Sequence, residues 1–218
     1  MKKLHVVFCA LLIVTAAIAT AAWYDDLPVS IPVHWNIEGR PDGYGSRAIL
    51  WLLGPGLMGV GLVIGLCLPW LSSKRFDLMS FKPTYSYFIV LIIFMLGFFQ
   101  ATMIHAILTG VMEMHRTIYF GVFTLLILLG NPMGKVKRNF YVGVKTPWAL
   151  ASEQVWYATH RLCARLMVAS GLLGLIAVFF GAGSWILISL AGGWSVIVAT
   201  FSLVYYKRLE KASQLEAH

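Results

Sequence analysis

Residues 86–109 read SYFIVLIIFMLGFFQATMIHAILT, a run without a single Lys, Arg, Asp or Glu. At about 1.5 Å of rise per helical residue, such a run is long enough to cross a membrane, which needs roughly 20 apolar residues. The whole 218-residue chain has the same character, since 59% of it is hydrophobic, 12% is charged and its mean hydropathy is +0.79. We therefore predict an all-α polytopic membrane protein, a bundle of six transmembrane helices. The predicted spans are 4–23, 48–71, 86–109, 118–132, 164–182 and 185–206.

The distribution of positive charge orients the predicted helices. With both termini in the cytoplasm, all of the 17 Lys and Arg residues except Arg40, Arg47 and Arg116 fall on the cytoplasmic side. The excess of Lys and Arg on the cytoplasmic side of membrane proteins, the positive-inside rule, also explains a pI of about 9.5. We therefore predict no direct contact with nucleic acid. The start of the chain resembles a secretory signal, but the apolar run 4–22 is long enough to span a membrane. We expect an uncleaved first helix.

A polar connection, residues 24–47, separates the first two predicted helices and is predicted to lie outside. Pro28 and Pro32 stiffen its entry, because proline fixes its own backbone angle and restricts the preceding residue. The sequence GRPDGYGS at 39–46 then supplies turn residues. The pattern predicts an ordered, hairpin-like cap on the outer face.

A second long connection, 131–161, is predicted to lie in the cytoplasm and reads NPMGKVKRNFYVGVKTPWALASEQVWYATHR. Thr146 before Pro147 and Ser152 before Glu153 are typical starts of helices. Cations in this segment can sit on anionic headgroups, each worth on the order of 1 kcal/mol, so membrane lipid is a predicted partner. These cations are Lys135, Lys137, Arg138 and Lys145.

The sequence offers no convincing catalytic set, because HExxH, GxSxG and P-loop motifs are absent and no acidic pair lies within a predicted span. His34 has no second ligand at the spacing of a metal site. We therefore predict that the protein is not an enzyme and that it binds neither a metal ion nor a cofactor. Two polar residues, Gln100 and His105, lie within the third predicted helix. Each is either a functional residue or a partner in an interhelical hydrogen bond, and the sequence leaves both open.

The two connections carry motifs that resemble known families. LPVSIPVHWNIEGRPDGYGS at 27–46 resembles the signature of a bacterial membrane domain of unknown function, which reads Leu-Pro, Ile-Pro-x-His-x-Asn and then Gly, Asp, Gly and a small-residue turn. The second connection resembles the SdpI-type immunity proteins, whose pattern is Gly-Asn-x-Met, Asn, Gly-x-Arg-Thr-Pro-Trp, Trp and His-Arg. One departure is Lys145, where the family usually has arginine, and lysine keeps the charge without the bidentate geometry. The pattern falls on Gly130, Asn131, Met133, Asn139, Gly143, Thr146, Pro147, Trp148, Trp156, His160 and Arg161.

The resemblance implies a multi-pass protein of the bacterial (inner) cell membrane that protects its cell against a secreted, membrane-active Sdp-type toxin peptide. It also implies that some members hold a transcriptional repressor at the membrane when toxin is present. The inner motif then meets a partner or simply anchors at the lipid interface, and both readings stay open. The outer residues that we predict for toxin recognition are Pro32, His34, Asn36, Gly39, Asp42 and Gly45.

We predict two parts, an N-terminal helix pair with its outer connection at 1–71 and an SdpI-like four-helix region at 86–206. A small transporter or permease is the alternative function. Long polar connections follow helix 1 outside and helix 4 inside, as an inverted three-plus-three repeat would place them. Unequal motif spacing and the lack of clear self-similarity between the helices weigh against such a repeat.

Overall fold

The computed structural model describes residues 1–110 and 114–212. Within these ranges, six helices are long and apolar enough to cross a membrane, which confirms the predicted all-α polytopic architecture. The connection predicted between the third and fourth helices is GVMEMHRT at 110–117; residues 111–113 of it lie outside the described residues, and the fourth helix already begins at His115. The cytoplasmic placement of the termini stays a prediction. The long helices are α1 (Lys3–Trp23), α2 (Ile49–Leu71), α3 (Lys82–Thr109), α4 (His115–Met133), α6 (Glu153–Phe179) and α7 (Ser184–Lys211), and a short helix α5 covers Pro147–Ala151.

Most apolar side chains of the long helices point outward. In the most apolar stretch of each helix, only 17% to 39% of the residues are buried. Large side chains such as Phe179, Phe180 and Trp185 are fully on the surface. Apolar exposure on this scale does not suit water but is what a lipid-facing surface requires. The helices therefore use lipid, and not each other, to cover much of their apolar surface.

Helix α6 begins at Glu153, well before the residue 164 predicted for the fifth span. The Ser152 hydroxyl accepts a hydrogen bond from the Val155 N–H at 3.4 Å, so the predicted N-cap is confirmed. The Thr146 hydroxyl likewise accepts from the Ala149 N–H at 3.2 Å and caps α5. A hydropathy pattern detects only the lipid-facing part of a helix, so it missed the first turns of α6.

The outer connection folds as an antiparallel hairpin of β1 (Ser30–Trp35) and β2 (Pro41–Ser46). Its register pairs Ile31 with Gly45 and Pro32 with Tyr44, and it shifts on either side of His34. Such irregularities bend a strand and re-aim its side chains. The predicted hairpin-like cap is confirmed, and it adds a small sheet to an otherwise helical fold.

The chain forms two compact units, each with a core of its own. The first contains Met1–Cys67 and Ser86–Val122, and the second contains the described parts of Leu68–Tyr85 and Phe123–His218. In the first unit, Cys9, Met58 and Ile93 form a buried cluster between α1, α2 and α3. The boundaries of these two units fall within α2, α3 and α4, whereas the predicted division at 1–71 and 86–206 follows the chain and stays a prediction.

The core of the second unit depends on close packing of α4 against α6. A Cβ at Gly130 would lie 2.8 Å from the Met167 Cβ, and one at Gly171 would lie 2.7 Å from the Phe123 carbonyl oxygen. Small residues at helix contacts let membrane helices approach closely, since lipid supplies no hydrophobic drive for their association.

Candidate functional site

The turn of the outer hairpin is built around Asn36. Its side-chain oxygen accepts hydrogen bonds from the backbone N–H groups of Glu38 and Arg40, both at 3.0 Å. Its backbone N–H donates to the Arg40 carbonyl oxygen at 2.9 Å. Gly39 has a φ of +77°, a left-handed conformation that glycine adopts without strain. The Asn-to-Gly sequence therefore closes this turn through its own side chain and backbone.

Arg47 ties the base of the hairpin to the end of α1. Its guanidinium donates to the carbonyl oxygens of Tyr24 at 2.8 Å and Leu27 at 2.9 Å. It also lies over the Tyr24 ring, 4.5 Å from the ring centroid, and the side chain is only 24% exposed. In the sequence Arg47 is merely one of the outer charges. Its partners lie more than 19 residues earlier, so no local pattern indicates this role.

The hairpin also rests on an apolar cluster at the ends of the helices. Leu27, Ile31 and Leu50 are buried there against Met103 and Ile107 of α3. These contacts fix the hairpin on the first unit, because buried apolar area is the main stabilising term at such a junction.

The turn of the hairpin packs so closely against α4 that position 39 has no room for a side chain. A Cβ at this position would lie 2.5 Å from the His115 Cβ, at the start of α4. The hairpin is therefore held at its base, its middle and its turn.

The exposed face of the hairpin presents His34, Asp42 and Tyr44. The His34 Nδ1 lies 2.5 Å from the Asp42 carboxylate, and these side chains are 72% and 43% exposed. Tyr44 is 64% exposed. The residues predicted for recognition thus divide into two groups. His34 and Asp42 are on the surface, while the scaffold that holds them contains Pro32, Asn36, Gly39 and Gly45.

Gln100 makes the interhelical hydrogen bonds that the sequence left open. Its amide nitrogen donates to the Thr20 hydroxyl at 2.5 Å and to the Ala16 carbonyl oxygen at 3.2 Å, both on α1. Gly54 of α2 approaches so closely that a Cβ there would overlap the Gln100 carboxamide. This approach coincides with a π-helical turn at Leu52–Gly56. Gln100 therefore bonds α3 to α1 and packs closely against α2 in the first unit.

His105 is placed differently from Gln100. It is exposed one turn before the end of α3 at Thr109, so it lies near the membrane boundary and not in the packed interior. Among the residues that the structure describes, no group of three or more His, Cys, Asp or Glu side chains could hold a metal ion.

In the second unit, Asn139 organises the loop that follows α4. Its amide nitrogen donates to the carbonyl oxygens of Lys137 at 2.8 Å and Val142 at 3.0 Å. Its side-chain oxygen accepts from the N–H groups of Tyr141 and Val142, both at 2.7 Å. Every hydrogen-bonding position of this fully buried amide is therefore used.

His160 and Trp156 join this loop to α6. The His160 Nδ1 pairs with the Trp156 carbonyl oxygen at 2.8 Å, and its Nε2 accepts from the Val144 N–H at 3.0 Å. This pattern requires the neutral ring with the proton on Nδ1. The two rings stack 4.0 Å apart, and the Trp156 indole N–H donates to the Val136 carbonyl oxygen at 2.8 Å. Gly143, at a φ of +111°, leaves room for the imidazole, because a Cβ there would overlap it.

The inner motif thus divides as the outer one does. The Thr146 hydroxyl forms a hydrogen bond with the Ser202 hydroxyl of α7 at 2.9 Å. Lys145, which lies on the surface, donates to the Tyr141 carbonyl oxygen at 3.3 Å. The buried or half-buried members of the motif are Asn139, Gly143, Thr146, Trp148, Trp156 and His160, while Asn131, Lys145, Pro147 and Arg161 are exposed.

Arg138 and Tyr141 are supports that the sequence analysis missed. The Arg138 guanidinium donates to the Leu150 carbonyl oxygen at 3.4 Å, and the Tyr141 hydroxyl donates to the Leu71 carbonyl oxygen at 3.1 Å. Both contacts join segments that are distant in the chain, so neither has a local signal.

Fold and site together define a multi-pass membrane protein whose two long connections are ordered by buried or half-buried polar side chains and present small exposed surfaces. The comparisons give the family context. Residues 135–206 match the model of the SdpI/YfhL protein family, and residues 11–59 match a domain of unknown function (DUF1648). Over 188 residues the chain is 26% identical to the immunity protein SdpI of Bacillus subtilis (strain 168), covering 85% of this chain and 88% of that protein. No solved structure gives a significant match.

The resemblance predicted from the two motifs is therefore confirmed. This chain is a multi-pass bacterial membrane protein that is similar to the SdpI/YfhL family over residues 135–206 and to the DUF1648 domain over residues 11–59.

Proposed function

We propose that this chain is a membrane-integral immunity protein that binds and neutralises a membrane-active toxin peptide at the exposed face of its outer hairpin. The proposal rests on the similarity to SdpI and on one structural observation. The face formed by His34, Asp42 and Tyr44 lies on a hairpin that is already held at three places. A preformed surface loses little conformational entropy on binding, which favours affinity.

The charge of the hairpin region favours a cationic peptide. Its acidic side chains are Asp25, Asp26, Glu38 and Asp42. Within residues 24–47, Arg47 is occupied by backbone carbonyl oxygens, so Arg40 is the cation of this connection that remains on the surface, with its side chain 79% exposed. Arg116, at the start of α4, is a further exposed cation on the predicted outer side. Complementary charge steers a cationic partner to the surface, and Tyr44 adds an aromatic contact of the kind enriched in binding sites.

The inner connection supports a second part of the proposal, the recruitment of a repressor protein when toxin is bound. Buried contacts of Asn139 and His160 hold this loop in one shape. The cations that it leaves exposed would suit an acidic partner surface or anionic lipid. We propose that the protein acts by binding and not by catalysis. The exposed cations are Lys135, Lys137, Lys145 and Arg161.

A transporter built from inverted repeats is the less favoured alternative. It predicts that the connections after α1 and α4 have related folds. The first is a β-hairpin, whereas the second is a loop organised by Asn139 and followed by the short helix α5. This difference does not favour a repeat.

A growth assay tests the proposed function. A bacterial strain sensitive to an Sdp-type toxin peptide is given this chain, and the peptide concentration that halves growth is measured. Expression should raise that concentration. The double variant His34→Ala, Tyr44→Ala should lose most of the protection, because truncating interface hot spots typically costs about 2 kcal/mol or more.

The matched control is Lys211→Gln, at an exposed position of α7 remote in sequence from both motifs. Immunoblots of membrane fractions compare the amounts of protein. Protection by the double variant equal to that of the wild type, at equal protein level, would rule out this face as the contact surface.

A further inference from the structure

A groove of about 430 Å³ lies between α4 and α6 in the second unit. Gly130 brings the two helices together, since a Cβ there would lie 3.1 Å from both the Ala164 carbonyl oxygen and the Val168 side chain. The polar side chains lining the groove are Asn131 and Arg165. The rest of its lining is small or apolar: Gly130, Ala164, Val168, Ala169 and Leu172.

Arg165 lies at a depth where an unpaired charge is costly. A hydrocarbon core takes roughly 20 helical residues, so counting back from the end of α6 at Phe179 places the opposite boundary near residue 160. Arg165 is then about 7 Å inside that boundary, at about 1.5 Å per residue. Charged side chains at such positions pair with an opposite charge or extend to the headgroups.

The described acidic side chains of this unit do not neutralise Arg165. Asp77 accepts from the Met79 N–H at 2.7 Å, and Glu210 pairs with Lys207 at 2.7 Å. Glu153 interacts with Tyr157 in the first turns of α6. Within residues 68–85 and 123–212, Arg165 forms no salt bridge.

A second arginine reinforces the positive charge of the groove. Arg161 lies one turn before Arg165 on α6, and residues four apart share a helix face. The Arg161 side chain lies against the turn that follows α4, with its Cγ 3.7 Å from the Cβ position of Gly134. Its head is exposed.

We propose that this groove binds an anionic phospholipid. The phosphate of the headgroup accepts hydrogen bonds from the guanidinium groups of Arg165 and Arg161, a geometry that arginine provides better than lysine. The Asn131 amide donates to an oxygen of the glycerol phosphate. One acyl chain lies along the apolar end of the groove, past Ala169 and Leu172. This site is independent of toxin binding.

A lipid fits the groove better than free phosphate does, because the apolar lining continues from the arginines toward the centre of the membrane. Basic pockets between membrane helices are known to select anionic headgroups. A soluble anion would use the arginines alone and would leave the apolar part of the groove uncovered.

The test measures lipid binding to the purified full-length protein in detergent by native mass spectrometry. Phosphatidylglycerol is compared with zwitterionic phosphatidylethanolamine, and soluble glycerol phosphate is added as a competitor. We expect phosphatidylglycerol to bind at least tenfold more tightly than phosphatidylethanolamine, which corresponds to about 1.4 kcal/mol. Glycerol phosphate should not displace it. Equal binding of the two lipids, or displacement by glycerol phosphate, would overturn the proposal.

Two variants locate the site. Arg165→Gln should weaken phosphatidylglycerol binding at least tenfold, whereas Lys211→Gln removes the same charge outside the groove and should leave binding within about twofold of the wild type. Ala169→Trp fills the apolar end of the groove from an exposed position and leaves both arginines intact. It should also lose tight binding, so the test holds even where Arg165→Gln does not fold. Wild-type binding by either groove variant would refute the assignment.

Discussion

Replacing Gly143 with Ala should destabilise the buried centre of the inner motif. Two effects add. A side chain at a positive φ, here +111°, costs roughly 1–2 kcal/mol. The new Cβ would also overlap the His160 imidazole and break its 3.0 Å hydrogen bond with the Val144 N–H. A buried polar group left without a partner costs about 1–3 kcal/mol.

Together these effects predict a loss of about 3 kcal/mol in the free energy of unfolding. For chains of 150–250 residues each kcal/mol lowers Tm by about 2–4 °C, so Tm should fall by about 6–12 °C. Thermal unfolding of the purified protein in detergent, followed by tryptophan fluorescence, measures the shift. Trp156 stacks on His160 and reports on the same site.

Gly192→Ala is the matched control, because it makes the same substitution at a helical glycine of α7 with open space around it. Ala is favoured over Gly in a helix by about 0.8–1.0 kcal/mol, so this variant should melt at or above the wild-type temperature. If the Tm of Gly143→Ala and that of Gly192→Ala both equal the wild-type Tm, the proposed packing of His160 against the loop is wrong.

Three further predictions follow from the described contacts. Asn36→Ala removes the acceptor for two backbone N–H groups and should speed cleavage after the exposed Glu38 by a Glu-specific endopeptidase by about 5–30-fold, while Asn36→Asp keeps that acceptor and should be cleaved at the wild-type rate; equal rates for both variants would show that this side chain does not hold the turn. Gln100→Leu removes the bond to Thr20 and should lower the free energy of unfolding by about 1 kcal/mol, measured as a fall in Tm, and unchanged stability would refute this role. Nitrogen-15 NMR at neutral pH should show His160 with its proton on Nδ1, and a proton on Nε2 would contradict the bond from the loop.

The sequence predicts the helices well because each has a long apolar stretch, and lipid imposes length and composition directly. Hydropathy alone misses the start of α6, where Trp156 and His160 are buried by the neighbouring loop and not by lipid. Capping at Thr146 and Ser152 was predictable, since a cap depends on residues within one turn. That local signal placed the true start of α6 more accurately than hydropathy did.

The candidate sites show the same difference between local features, which the sequence predicts, and contacts between distant residues, which it does not. The shape of the outer hairpin follows from its prolines and glycines, but the role of Arg47 depends on carbonyl oxygens near the end of α1. Gln100 stood out as a polar residue, yet its partner Thr20 lies 80 residues away. A motif match could not separate surface from scaffold, because Asn36 and His34 are equally prominent in the sequence. Only the folded contacts show that Asn36 builds the turn while His34 faces outward.

The most direct test of the central claim is a footprint of the toxin on the hairpin. The native thiols Cys9, Cys67 and Cys163 are replaced by Ala, and single cysteines are introduced as Tyr44→Cys and, for control, Gly183→Cys in the turn before α7. Intact cells are then treated with a membrane-impermeant maleimide, with and without an Sdp-type toxin peptide. We predict that both positions are labelled in intact cells and that the peptide slows labelling at position 44 but not at position 183. No labelling at position 44, or a rate there that the peptide leaves unchanged, would contradict an outer hairpin that binds toxin.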